Sequence, residues 1–267
     1  MHAGPRARRA GAATAAALAL VLLAGCTSSD STSPDATTST TATPTSGGDL
    51  VIGVTSDPDT LDPWKATQFQ AVNVLQNLYG TLTEFDQDLA VVPGLATSWD
   101  VSDDGLTVTF HLREGVTFAD GSTFDSADVV YSLTKIKDEA TAAVARASLG
   151  SMASVAAPDA STVVLTLSAA DAALPANLAV INMAMVSSDD DEATLASTPD
   201  GTGPFVLDSR TPNESITLKR NDAYWGDKAY LDTVEFRVIP DETSIVSAMQ
   251  SGNVQLAVFD DPLVAQT

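Results

Sequence analysis

Apolar positions in this chain fall into short runs, and the spacing within each run predicts a kind of element. Leu50 to Val54 is a compact apolar run ahead of the turn formers Ser56-Asp57-Pro58-Asp59, which predicts a buried first strand. Ala71, Val74, Leu75 and Leu78 recur at helical spacing, with Gly80 as the expected stop. Leu106, Val108, Phe110 and Leu112 alternate with Thr107, Thr109, His111 and Arg113, the two-residue period of a half-buried strand. A helix follows, capped by Asp125 or Ser126, with Val129, Val130 and Leu133 on one face. Val163-Leu165-Leu167, after a turn at Pro158-Asp159-Ala160-Ser161, and Val234-Phe236-Val238 predict two more strands. Ile245, Ala248 and Met249 line a helix ended by Gly252, and Gln255 to Phe259 reads as a final strand. Strands and helices interleave without a repeat period, so the predicted class is α/β.

Two stretches ahead of this pattern cannot build a core. Arg6, Arg8 and Arg9 precede an apolar segment, Ala10 to Leu23, that is shorter than the roughly 20 residues of a membrane span. This is the layout of an export signal, and it ends in Leu23-Ala24-Gly25-Cys26. From Thr27 to Gly48 there are fourteen Ser or Thr in 22 residues, with no aromatic residue and no aliphatic one larger than alanine. Such a segment reads as a flexible tether with a root-mean-square reach of roughly 25 Å. The remaining 219 residues, Asp49 to Thr267, suffice for one large or two small domains.

Charge narrows the partners. The whole chain carries a formal −22, and all 35 acidic residues lie after Cys26 with only ten basic ones, so removing the signal leaves −25. That field repels nucleic acid and anionic lipid, and the commoner use of such a surface is solubility. Cys26 is the only cysteine, so no internal disulfide is expected.

Few side chains fall at the spacings that catalysis or metal binding needs. Asp100, Ser102, Asp104 and Gly105 occupy the first, third, fifth and sixth places of a calcium loop, but the twelfth is His111 rather than glutamate and a strand follows. Asp103-Asp104-Gly105 reads better as a hairpin turn. Ser132-Leu133-Thr134-Lys135 fits S-x-x-K, yet it lies in the predicted helix and neither S-D-N nor K-T-G follows, which makes Lys135 a solvated residue. There is no G-x-S-x-G, phosphate-binding loop or H-E-x-x-H. After Cys26 the one histidine is His111, on the polar face of its strand, so no metal site is expected. Asp189-Asp190-Asp191-Glu192 reads as a solvated helix start.

The unbroken stretch Val92 to Leu133 carries a more specific signal: Pro93-Gly94-Leu95-Ala96, Ser98-Trp99, the Asp-Asp-Gly turn, His111-Leu112-Arg113, Phe118-Ala119-Asp120-Gly121, then Ala127-Asp128-Val129. Flanking it in order are Leu61-Asp62-Pro63, Leu78-Tyr79-Gly80, Gly201-Thr202-Gly203-Pro204-Phe205, and Arg220-Asn221 with Tyr224-Trp225-Gly226. From about Asp49 to Phe259 the chain resembles the N-terminal half of bacterial extracellular solute-binding proteins of family 5, which serve peptide and nickel ABC importers.

The resemblance implies a fold like that of type II periplasmic binding proteins. Residues 49–78 and 199–267 would form a first lobe, 79–198 an inserted subdomain, and the second lobe would begin near where this sequence stops. Residues 1–25 would be a lipoprotein signal peptide and 26–48 the lipidated Cys26 with its tether, because Leu23-Ala24-Gly25-Cys26 resembles a lipobox; a diacylglycerol supplies the two chains that stable anchoring requires. The expected location is the outer face of the cytoplasmic membrane or the periplasm. The expected function is capture of a peptide or small-molecule solute for an ABC permease, without catalysis or cofactor, by a protein that is monomeric when full length. A nickel-chelate or other small-solute receptor of the same family, or a membrane-anchored hydrolase, is the alternative. By position in the family, Thr67, Gln68 and Phe69 are candidate main-chain ligand contacts. Gly201, Thr202 and Gly203 are candidates too, although the glycines suit a tight turn equally well. Tyr224 and Trp225 are expected to pack as a clasp, and Trp99 and Phe110 to lie in the core.

Overall fold

Alternation in the sequence becomes two separate sheets in the computed structural model, which describes residues 44–259. Strand β1 (Asp49–Val54) leads through a loop to helix α1 (Phe69–Leu78). A two-stranded ribbon follows, β2 (Thr83–Phe85) with β3 (Val91–Pro93). Next come β4 (Ala96–Val101), β5 (Thr107–Leu112), α2 (Ser126–Lys137), β6 (Met152–Asp159) and β7 (Thr162–Leu167). After the short α3 (Leu174–Asn177), the chain continues through β8 (Phe205–Thr211), β9 (Ser215–Arg220), β10 (Thr233–Val238), α4 (Glu242–Gln250) and β11 (Leu256–Ala257).

The five-stranded sheet has the order β11-β1-β10-β9-β8, and β1 runs parallel to both its neighbours. It therefore draws strands from both ends of the described chain. A parallel pair needs a crossover, and α4 supplies one between β10 and β11. Ile245 of α4 is fully buried, and an added Cβ on Gly53 of β1 would meet its side chain at 3.1 Å, so helix and strand pack without a gap.

The four-stranded antiparallel sheet, β4-β5-β7-β6, comes from the middle of the chain. Val108, Phe110 and Leu112 of β5 are buried while Thr107, Thr109 and His111 are half-buried, as the two-residue period requires. Phe110 sits opposite Trp99 on β4 and Val163 on β7. The Asp-Asp-Gly hairpin is present: Gly105 adopts φ +71°, a region that glycine enters at little cost, and its N–H donates to Ser102 O at 2.8 Å. Asp125 caps α2 in a capping box, its carboxylate accepting the Ala127 N–H at 2.7 Å while Asp128 accepts the Asp125 N–H at 2.9 Å.

Several expectations change. Helix α1 ends at Leu78 with Tyr79 as its cap, and Gly80 serves close packing, since a Cβ there would lie 2.6 Å from Thr202 Oγ1. On α2 the buried face is Val129, Ser132, Leu133 and Ile136, and Val130 is only half-buried. Met249 of α4 is exposed because Ile245 alone reaches the sheet fully. The last strand shrinks to Leu256–Ala257, since β1 offers it only two register positions. Trp99 is partly buried: it lies at the edge strand β4 and leans on Phe110 with ring centroids 6.2 Å apart. Strands β2, β3, β6, β8 and β9 had no predicted counterpart, and the turn before β7 begins two residues later because Pro158 and Asp159 remain in β6.

Candidate functional site

The loop between β1 and α1 contains a buried turn and then an exposed rim. Leu61 and Trp64 are fully buried, and Trp64 Nε1 donates to Ala184 O at 3.0 Å. Asp62 is 2% exposed; it accepts the Trp64 N–H at 2.9 Å and pairs with Lys65 at 3.0 Å. Asn182 closes the turn from outside, donating to Pro63 O and Ala66 O at 2.7 and 3.1 Å. With Leu61 to Trp64 fixed, Thr67, Gln68 and Phe69 all emerge exposed, and Phe69 is 63% exposed despite its apolar ring.

Asp59 holds this rim from below. Its Oδ2 accepts both the Thr67 N–H and hydroxyl, at 3.0 and 2.7 Å, and its Oδ1 accepts the Thr60 N–H at 3.0 Å. Partial burial works against its charge, but hydrogen bonds from Thr67, Thr60 and Gln68 outweigh that and hold the carboxyl below its usual range. A carboxylate before the first turn of α1 also complements the helix dipole. The Thr67 N–H is thus taken.

Gly201, Thr202 and Gly203 lie at the other end of α1, and all three are buried. Gly203 N–H donates to Leu78 O at 2.9 Å, and a Cβ on Gly203 would lie 2.5 Å from Asn77 O. Asn221 Nδ2 donates to Gly203 O at 2.9 Å and Trp225 Nε1 to Thr202 O at 3.1 Å. Arg113, from the end of β5, stacks 4.4 Å above the Trp225 ring and donates to Gly94 O at 3.3 Å. Tyr224 packs on Trp225 with centroids 5.0 Å apart, so the pair does form a clasp between the two sheets' connections. The structure therefore separates the two candidate trios: one is an exposed rim, the other a buried joint.

Three acidic and serine motifs take on definite roles. Ser132 is fully buried and exchanges hydrogen bonds with the Val186 backbone, donating at 3.2 Å and accepting at 2.9 Å, which pins α2 rather than arming a nucleophile. Lys135 is not merely solvated, because it pairs with Glu192 at 3.0 Å, as does Lys65 at 3.4 Å. Glu192 thereby leaves the expected solvated helix start; Asp191 instead caps a single 3-10 turn, Glu192–Thr194. His111 pairs with Asp100 at 3.0 Å on the exposed side of β5. Among the described residues no group of three or more His, Cys, Asp or Glu side chains is placed to hold a metal ion. A groove of about 620 Å³ between α1 and β2, lined by Val72, Gln76, Phe85 and Val180 among others, does not include the rim. Its charged lining residue is Glu84. Sequence reasoning missed Asp59, Asn182 and the two lysines on Glu192; only Asp59, in the Ser-Asp-Pro-Asp turn, left a local signal. Cys26 lies outside the described residues.

The order of these parts matches a known family. The model for bacterial extracellular solute-binding proteins, family 5 (middle), matches residues 90–267. The chain belongs to this family. It is 34% identical over 223 residues to Protein XP55 of Streptomyces lividans, covering 81% of this chain and 40% of that protein. To the glutathione-binding protein GsiB of Escherichia coli K12 it is 32% identical over 213 residues, covering 78% and 42%. Among solved structures it resembles the ABC transporter-associated periplasmic binding protein DppA of Helicobacter pylori in complex with peptide STSA. The TM-score is 0.74 at 33% identity, covering 79% of this chain and 46% of that one. The fold of this family 5 chain is that of type II periplasmic binding proteins, and the chain spans less than half the length of the curated relatives it matches.

Proposed function

We propose that this family 5 chain supplies the first lobe and inserted subdomain of a substrate-binding lipoprotein that captures peptides or a related small solute for an ABC importer. Sheet membership supports the division into 49–78 with 199–267 and 79–198, since β1 and β8–β11 share one sheet and β4–β7 the other. The observation that carries the ligand reading is the exposed run Thr67-Gln68-Phe69, held on a buried turn. An exposed backbone segment suits pairing with the main chain of an extended peptide, and Phe69 offers an apolar face to a side chain. Gly201 to Gly203 act one step away, fixing the end of the helix that carries the rim. A ligand closes a two-lobed receptor only through higher affinity for the closed state, so the rim is one half of the cleft.

Anchoring through Cys26 and delivery to a membrane permease complete the proposal. The test is mass spectrometry of protein taken from its native membrane fraction. The expected result is a diacylglycerol mass on an N-terminal Cys26 and a retained peptide-class solute, whose affinity falls at least tenfold in Phe69→Ala. An acylated, cleaved product from a Cys26→Ser gene would sink the anchor, and unchanged affinity in Phe69→Ala with Thr67→Pro would sink the rim.

A further inference from the structure

Edge strand β8 carries a register shift between Leu207 and Ser209 in its pairing with β9. Leu207 lies opposite Leu218 and Arg210 opposite Ile216, and both β9 residues are buried. Directly opposed residues of an antiparallel pair project to one face, so the shift puts Arg210 on the face of Leu207, three residues before it. Unbroken alternation would have turned Arg210 to the other side. An arginine is thereby aimed along the apolar face of the sheet. Its side chain is 21% exposed, and that of its partner Asp57, in the loop after β1, is 12% exposed.

Arg210 Nη2 donates to Asp57 Oδ2 at 2.8 Å and to Pro58 O at 3.2 Å, and Nη1 lies 3.5 Å from Ala196 O. A guanidinium that served only to neutralise Asp57 would meet it with two parallel hydrogen bonds. Here one nitrogen is divided between the carboxylate and the Pro58 carbonyl, and Nε and Asp57 Oδ1, the second pair such a fork would join, are not joined. The guanidinium is turned toward the backbone of the loop. Pro58 O belongs to the planar peptide that leads into Asp59, so holding that oxygen orients Asp59 as well. The Asp59 carboxylate in turn takes the Thr67 N–H and hydroxyl. We propose that Arg210 is the positioning residue of the rim: it fixes Asp57 and Pro58 from β8, they fix where Asp59 stands, and Asp59 fixes Thr67 at the head of Thr67-Gln68-Phe69. The part this gives Arg210 in solute capture rests on the binding role proposed for the rim.

Backbone amide exchange of the whole chain, followed by NMR, tests this without any solute. In wild type the Thr67 N–H should exchange well below its unprotected rate, because Asp59 accepts it. Arg210→Met keeps an unbranched apolar stem without a donor, and it should speed Thr67 exchange about tenfold or more. The Phe110 amide, in the central strand β5, opens with global unfolding and should change by a clearly smaller factor. Arg210→Met also leaves Asp57 without its cation; the double variant Arg210→Met with Asp57→Asn removes that charge and should give the same reading at Thr67. Arg210→Lys, whose ammonium can donate to both oxygens, should recover most of the protection. A wild-type Thr67 amide at its unprotected rate overturns the positioning role, as does a wild-type rate in the double variant. So does acceleration at Thr67 by no more than the factor seen at Phe110, because loss of overall stability would then account for it. Failure of the rim as a binding surface is read separately, as unchanged solute affinity in Phe69→Ala.

Discussion

Replacing Gly203 by alanine tests the buried joint of Gly201 to Gly203 against the end of α1 through geometry alone. Gly203 does not have positive φ, so the substitution imposes no backbone strain of the left-handed kind. Its effect comes from the added Cβ, which would lie 2.5 Å from both Asn77 O and the Leu78 carbonyl carbon and 2.7 Å from Leu78 O. Those are backbone atoms at the end of α1, which cannot rotate away, and the same place holds the 2.9 Å hydrogen bond from Gly203 N–H to Leu78 O. Overpacking typically costs about 1–3 kcal/mol, and loss of that buried hydrogen bond adds about 1 kcal/mol, so about 2–4 kcal/mol is expected. With a urea slope of about 2 kcal/mol per M, the unfolding midpoint should fall by about 1–2 M. Gly150→Ala is the comparison: its Cβ would meet only Ala147 O at 3.2 Å in helical backbone, and it should shift stability by less than about 1 kcal/mol. Equal midpoints for Gly203→Ala and wild type would refute the steric reasoning. If the same variant stayed stable but lost solute, Gly201 to Gly203 would be ligand contacts after all.

Other substitutions follow from the same packing. Phe110→Ala should cost about 3–5 kcal/mol by urea unfolding, because the ring is fully buried between β4 and β7; Trp99→Ala should cost clearly less, since that ring is only partly buried. Equal losses would show that edge position does not govern the pair. Asp125→Ala removes one half of the α2 capping box and should lower stability by about 0.5–2 kcal/mol, with Asp125→Ser recovering most of it. Trp225→Phe keeps the ring under Arg113 but deletes the donor to Thr202 O, so about 1 kcal/mol should be lost with little change in fluorescence-independent probes of fold such as far-UV circular dichroism.

Elements whose apolar residues repeat on one face were legible in the sequence, because burial on that face is what forms them. Strand β5 and helix α1 are of this kind. Strand β6 escaped because it is an edge strand with an exposed, alanine-rich pattern, eight residues with only Met152 buried. Strands β8 and β9 escaped because charged residues share their half-buried faces, as Arg210 and Arg220 do. Met249 misled because an amphipathic spacing fixes a face but not how far it reaches into a sheet, and α4 delivers only Ile245 fully. At the site, position in the family pointed to Thr67, Gln68 and Phe69, yet nothing local announced that Asp59 would grip Thr67 from eight residues away or that Asn182 would close the turn. Those contacts depend on chain segments that meet only after both sheets have formed.

The most conspicuous stretch of the sequence and the candidate site are thus different parts of the molecule, for a physical reason. Val92 to Leu133 builds β3, β4, β5 and α2, and its distinctive residues are consumed internally: Phe110, Phe118 and Phe124 are buried, Gly105 turns a hairpin, Asp125 caps a helix, and Arg113 covers Trp225. A residue that satisfies a neighbour in this way has little left to offer a solute. The rim is the reverse case, three consecutive exposed residues of unremarkable type made specific by what holds them. Helix α1 connects the two regimes, beginning at Phe69 on the rim and ending at Leu78 and Tyr79 against the buried joint. A change that loosens the joint therefore acts on the support of the rim, so Gly203→Ala should alter solute affinity in step with stability, whereas Phe69→Ala should alter affinity alone.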